Sequence, residues 1–301
     1  TEVAEGAMDA KAVALLGVAC IAPSGSSGLP VVYSMTAGLA HGAAAEAPPS
    51  GANKWDCRPS ASRPRPVVLV HGTFMNQRNT WHSLSPLLKN AGYCVFTFNY
   101  GGPPSLGFVY GIGDIERSAT QLSTFVDRVL EATGAPRVDL VGHSQGGMMP
   151  HRYLQQGCAS KVGSFVGLAP SNDCTTLFGL ATIASLLGLD YIAGLVCASC
   201  EQQVKGSEFL TSLRGAGLVQ PGVRYTVVST RLDEIVTPWQ SSYLPAGPNA
   251  PTSPESTAIT CWASTRFWRS RCAHAEYASA EAGDAPVPLH VDPPAGAVNA
   301  S

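Results

Sequence analysis

The chain has 301 residues, 45% of them hydrophobic and only 13% charged, and its formal net charge is −2. Such a length and apolar content suit one sizeable α/β domain with a large core and argue against two full domains. The near-neutral balance, without a basic stripe, excludes nucleic acid as an expected partner.

At the N-terminal end Lys11 precedes an apolar run over 12–22, a second apolar patch follows Leu29, and Ala43-Ala44-Ala45-Glu46-Ala47 sets small residues at A-x-A spacing. Residues 1–47 are therefore read as a secretion segment, although Glu2, Glu5 and Asp9 precede Lys11 and Pro23 interrupts the first run. Neither run is long enough to span a bilayer, so no stable membrane anchor is expected. Nine cysteines without a zinc-like Cys/His cluster indicate an oxidising compartment, and the expected location is extracellular. The close pair Cys197 and Cys200 lies in apolar surroundings and is given a structural role. Residues 48–65, rich in Pro, Ser and Arg, form an arm ahead of the domain proper.

From Val67 the chain alternates strands and helices, which predicts a mostly parallel, doubly wound sheet with helices on both faces. The continuous apolar run Val67-Val68-Leu69-Val70 reads as a central strand that ends in His71-Gly72-Thr73-Phe74. A helix follows near Trp81 to Lys89, then a strand from Tyr93 to Phe98. Ile115, Ala119, Leu122, Val126, Val129 and Leu130 fall at helical spacing, and Gly134-Ala135-Pro136 stops that helix. Pro136 to Val141 is a further buried strand, Gln145 to Gln156 a helix, and Phe165–Leu168 and Tyr225–Val228 two more strands. Residues 171–205 break the rhythm with an unusually apolar stretch that includes Leu177, Leu180, Leu195 and Val196. It is read as a cap or lid able to hold an acyl chain. The catalytic domain is thus set at 48–249, with 250–301 as an atypical C-terminal segment.

The chemistry centres on Gly142-His143-Ser144-Gln145-Gly146, a G-x-S-x-G string between a strand and a helix. In such an elbow the chain turns so sharply that only residues without a Cβ fit around the serine, whose Oγ is left exposed as a nucleophile. Two backbone N–H donors must then hold the oxyanion, one from Gln145 and the other from Phe74 or, second, Thr73. The acid of a Ser, acid, His order lies beyond Ser144. Asp233, just past the strand ending Val228-Ser229, is the first choice and Glu234 the second, with Asp173 and Asp190 less apt. His71, His143 and His151 all precede Asp233, so chain order leaves His274 as the expected base and His290 as its alternative.

The stretches Arg65 to Phe74, Gly92 to Phe96, Val138 to Pro150 and Val223 to Val228, with Thr230 to Pro238, resemble the secreted bacterial triacylglycerol lipases called lipase class 2, of the α/β-hydrolase fold. The resemblance covers about residues 52 to 249. It implies a Ser-His-Asp triad on Ser144 and Asp233, an oxyanion hole on Phe74 and Gln145, a Cys57–Cys94 disulfide and no cofactor or metal. After Gly247-Pro248-Asn249 the family carries a strand, a cysteine and an acidic residue followed by histidine, and 250–301 do not match that pattern. Trp268 stands near where the family's histidine would fall, and the shift to Arg, Ser, Pro and Ala is of the kind a displaced reading frame produces.

These readings converge on a secreted, monomeric carboxylic ester hydrolase that acts on acylglycerols or other esters at a lipid–water interface through an acyl-enzyme. The alternatives are a short-chain or polyester esterase on the same fold, or a catalytically silent hydrolase-fold protein that binds lipid.

Overall fold

The computed structural model describes residues 28–33, 38, 40, 42–102, 107–173, 197–229, 236 and 241–244, and the backbone of 239–240, 258–260, 275–276 and 288–289. Six strands form one wholly parallel sheet: β1 Val67–Val70, β2 Val95–Thr97, β3 Val138–His143, β4 Val162–Leu168, β5 Arg224–Ser229 and β6 Ala258–Thr260. Their order across the sheet is β2-β1-β3-β4-β5-β6. Among the described residues the α-helices described over their full length are α1 Gln77–Trp81, α2 Leu84–Asn90, α3 Ile115–Thr133, α4 Gln145–Tyr153, α5 Ala198–Gln202 and α6 Glu208–Gly215.

The unbroken apolar strands follow from burial on both faces, as parallel sheets require. Alternate residues of β1 divide between two cores: Val68 and Val70 pack with α3, α4 and α6, while Val67 and Leu69 pack with Trp81 and Leu88. The register aligns Val70 with Gly142 and Leu69 with Thr97, so the turns after β1 and β3 emerge side by side at the carboxyl edge. That edge is where open α/β sheets place their ligands.

α3 runs as its apolar spacing predicts, from Asp114, whose carboxylate accepts from the Arg117 N–H, to Gly134 at φ 70°. The helix expected near Trp81 to Lys89 is two helices instead. Asn76 and Asn79 form a capping box that starts α1 earlier, and the chain turns at His82 before α2 begins. α4 ends at Tyr153, earlier than expected, and passes into a wider turn over Leu154–Cys158.

The arm after Pro48 closes the free edge of β2. Asn53 donates its backbone N–H to the Val95 carbonyl at 2.9 Å, and its side chain exchanges two bonds with the backbone of Thr97, each of 2.8 Å. Trp55 packs on Phe96 with ring centroids 5.0 Å apart, and the Cys57–Cys94 disulfide fixes the arm covalently. Residues 42–47 also lie on the domain: Ala45 is buried, and its carbonyl accepts from Gln77 at 3.2 Å and Asn99 at 2.9 Å. Among the described cysteines, Cys197 and Cys200 are also bonded to each other and Cys158 is free.

A crosslink that spans 37 residues of sequence removes loop-closure entropy worth up to about 4 kcal/mol from the unfolded chain. The Cys57→Ala/Cys94→Ala variant is expected to lose stability of that order, measured by urea denaturation as a lower midpoint with a slope that rises because the uncrosslinked unfolded chain exposes more surface.

Candidate active site

Ser144 sits between β3 and α4 with φ 54° and ψ −122°, a conformation that a residue with a Cβ rarely adopts. The strain is imposed from both sides. A Cβ on Gly142 would lie 1.8 Å from the Gly146 carbonyl oxygen, and one on Gly146 would lie 2.2 Å from that of Val70. With glycine at both places the first turn of α4 presses against the ends of β1 and β3. Ser144 is then held by its N–H to the Leu168 carbonyl at 3.0 Å, while its carbonyl accepts from Gly147 at 2.8 Å and Ser171 at 3.4 Å.

The loop after β1 lies against the elbow. A Cβ on Gly72 would approach the Ser144 Cβ to 3.0 Å, so glycine there allows this closeness without a shift of the serine. Phe74, buried, takes φ 62°, a second non-glycine residue in the left-handed region. Asn76 anchors the far end of this loop: its side chain caps α1 and donates to the Phe108 carbonyl at 2.9 Å and the Gly42 carbonyl at 3.2 Å. Gln145 opens α4, so its N–H is one of the helix's unpartnered donors at the positive end of the dipole. Its side chain is buried and points inward, accepting from Tyr100 at 3.3 Å and Thr73 at 3.5 Å.

Three histidines ahead of Asp233, His71, His143 and His151, are largely buried, and two of them are held by contacts with the core. His71 stacks on Tyr100 at 4.3 Å and donates from Nδ1 to the Gly72 carbonyl at 2.9 Å. His151 donates to the Leu218 carbonyl at 2.8 Å and stacks on Tyr225. His143 retains some exposed surface, but its Nδ1 is buried. Burial lowers all three to a pKa of about 4, so each is neutral at pH 7.

The structure thus brings Ser144, Gln145, Phe74 and Thr73 together at the carboxyl edge. Asp233, Glu234, His274, His290, Asp190 and the cap residues Leu177, Leu180, Leu195 and Val196 lie outside the described residues. Asp173 is engaged in a surface ion pair with Arg214, which agrees with setting it aside. Of the stretch read as a lid, both described ends are fixed to the core: Ser171 binds the Ser144 carbonyl, and Gln203, after α5, bonds to Thr73 and Ser171. Sequence reasoning did not find Gln203, because a contact across 130 residues leaves no local pattern.

A family model described as lipase (class 2) matches residues 64–261. The chain is 39% identical over 104 residues to a triacylglycerol lipase of Pseudarthrobacter phenanthrenivorans, covering 33% of this chain and 30% of that protein. It is 36% identical over 104 residues to one of Burkholderia plantarii, covering 33% and 27%. For one of Pseudomonas fragi the identity is 26% over 157 residues, covering 50% and 48%. The chain therefore spans less than half the length of these curated relatives. Aspergillus fumigatus lipase B has a similar fold, with a TM-score of 0.52 at 19% identity over 76% of this chain and 53% of that one. The family match runs past Asn249 to Cys261, and β6 pairs with β5 over Ala258–Thr260.

The strain at Ser144 predicts that Ser144→Gly raises stability by about 1 kcal/mol while Ser144→Ala, which keeps a Cβ, does not; thermal denaturation of the pair checks this. The buried histidines set an acid limit. Their folded pKa of about 4 lies below the ordinary 6.5, so the unfolded chain binds more protons and stability is lost as pH falls from 6.5 towards 4. Each contributes a slope of up to about 1.4 kcal/mol per pH unit. His151→Gln, whose amide can still reach the Leu218 carbonyl, is expected to flatten the fall in urea midpoint across that window.

Proposed function

The chain belongs to the class 2 lipase family, and on that premise we propose that it is a carboxylic ester hydrolase, a triacylglycerol lipase, that works through an acyl-enzyme on Ser144. One observation carries the proposal: a strained serine at the head of a helix, wedged by Gly72 against a loop whose Phe74 is itself held at positive φ. Two of the four non-glycine residues at positive φ among those described thus lie on the elbow and on the loop packed against it, which fits a nucleophile and an oxyanion donor.

In this mechanism the Ser144 Oγ attacks the ester carbonyl carbon as the base, His274 with His290 as its alternative, takes the hydroxyl proton. Asp233 accepts a hydrogen bond from the imidazole and holds its tautomer. The Phe74 and Gln145 N–H groups receive the negative charge on the carbonyl oxygen. The proton passes to the departing alcohol, and water, activated by the same base, releases the acid. Leu177, Leu180, Leu195 and Val196 supply apolar surface for the acyl chain. The substrates are acylglycerols at a lipid–water interface, the protein acts as a monomer, and two disulfides support an extracellular location.

Treatment with a fluorophosphonate, which modifies only activated serines, tests the reading. Intact mass and peptide mapping are expected to show one label on Ser144 and none in Ser144→Ala. A folded wild-type chain that takes no label overturns the enzyme reading in favour of a silent lipid binder, consistent with the sequence after Asn249. Rates on tributyrin against long-chain emulsions then separate a lipase from a short-chain esterase.

A further inference from the structure

Residues 42–48 lie against a face made by α1 and the loop after β2, and that face reads mainly their backbone. Asn76 donates to the Gly42 carbonyl at 3.2 Å, and Gln77 to those of Ala45 and Glu46 at 3.2 and 3.0 Å. Asn99 donates to the Ala45 carbonyl at 2.9 Å and Arg78 to that of Pro48 at 3.1 Å. A second anchor lies on α2, where Asn90 accepts from the Leu29 N–H at 2.8 Å and donates to the Leu29 carbonyl at 2.9 Å. Side-chain donors fixed on rigid elements and aimed at peptide carbonyls make a site whose affinity comes from the main chain. Its selectivity is for small residues. A Cβ on Gly42 would lie 3.1 Å from the Asn79 amide, which is committed to the capping box of α1, and Ala45 is 1% exposed.

The segment is held by polar contacts and buries little apolar surface. Of residues 42–48 only Gly42 and Ala45 are buried, and Val32 and Tyr33, beyond Leu29, are exposed. Such a segment opens locally at a small cost compared with unfolding of the sheet. Its opening would reach the active site. Asn76 divides one amide between the Gly42 and Phe108 carbonyls, and Tyr110 donates its hydroxyl to Glu46 while its N–H holds the carbonyl of Met75, next to Phe74.

We propose that this face is a binding site for a small-residue peptide, that residues 42–48 are its tethered ligand, and that their docking holds the Phe74 loop in its working turn; the last part rests on the ester-hydrolase reading. A tether supplies an effective concentration on the order of millimolar, so the chain's own segment excludes free peptide unless its docking is weakened. A cut at the A-x-A spacing of 43–47 would divide the ligand and free the loop.

The full chain carrying Gly42→Val/Ala45→Glu, which displaces the segment by bulk and charge, tests this with a synthetic peptide of residues 28–50. Folding is checked by thermal denaturation. On a soluble p-nitrophenyl ester the variant is expected to lose about tenfold in kcat with little change in KM, because the Phe74 N–H acts on charge that appears only in the transition state. Added peptide is expected to restore most of that kcat, with half-saturation at or below roughly 1 mM. Fluorescein-labelled peptide is expected to gain anisotropy with the variant but not with the wild type, whose face is filled. Adding Gln77→Leu to the variant is expected to weaken that binding about fivefold or more. Ala45→Glu alone, read by the same outcomes, replaces the double variant should the latter fold poorly. A folded variant with wild-type kcat, one that takes up no peptide, or one that binds peptide without regaining kcat overturns the inference and leaves the enzyme reading standing. A wild-type chain that turns over no ester overturns the enzyme reading, and the anisotropy then still decides whether the face is a peptide site.

Discussion

The structure depends on a place where three backbone segments meet with no room for a Cβ. The end of β1, the turn at Gly142 and the first turn of α4 pack so closely that a single methyl at Gly146 would meet both the Val70 and His71 carbonyl oxygens within 2.3 Å. Close packing there brings the positive end of α4 to the strand tips and forces Ser144 into its strained turn. A strain of 1–3 kcal/mol is small beside the burial of a parallel sheet covered on both faces, which supplies the rigidity that keeps it. The same closeness places the loop after β1 beside the serine, because Gly72 meets Ser144 where a Cβ would lie 3.0 Å from the serine Cβ and push it aside by a few tenths of an ångström.

Around this point the fold buries polar groups without burying charge. His71, Tyr100, Thr73, Gln145, Gln203 and Ser171 form a layer beneath the carboxyl edge, and burial keeps His71 neutral. A neutral layer suits a site in which negative charge must appear on one atom: fixed dipoles stabilise it as it forms, whereas a resident cation would bind anions before the reaction. The tilt of each dipole is set by a neighbour, as the Tyr100 hydroxyl donates to the His71 carbonyl at 2.6 Å and lies 3.3 Å from the Gln145 Oε1.

Much of this architecture is legible in sequence because its causes are local. The apolar runs of β1, β3 and β4 follow from two-sided burial, the α3 stripe from helical period, and the glycines of the elbow from a turn with no space. The pairing of Cys57 with Cys94 came through family resemblance, and the structure contains it. What escaped has long-range causes. The break between α1 and α2 reflects the early start that Asn76 imposes while its side chain also holds the Phe108 and Gly42 carbonyls, and no periodicity encodes such a contact. Gln203 reads as one more polar residue after an apolar stretch until the fold sets it against Thr73. Ala45 packs against the domain, its carbonyl accepting from Gln77 and Asn99, contacts that no local pattern announces.

That last contact shows how the left-handed turn at Phe74 is maintained. The residue lies between a fixed point at Gly72, wedged on the nucleophile, and another at Asn76, which is bonded at once to its own helix, to the 107–111 loop and to the 42–47 segment. Tyr110 reinforces the second point, donating its backbone N–H to the Met75 carbonyl at 3.2 Å and its hydroxyl to Glu46. With both ends of a three-residue span immobile, the backbone between them has little freedom to relax, and a conformation costly in isolation becomes the only one that fits. The outer layer of arm and loop is thus part of the same constraint as the inner one: the glycines bring the donor loop to the serine, and the asparagine prevents it from leaving.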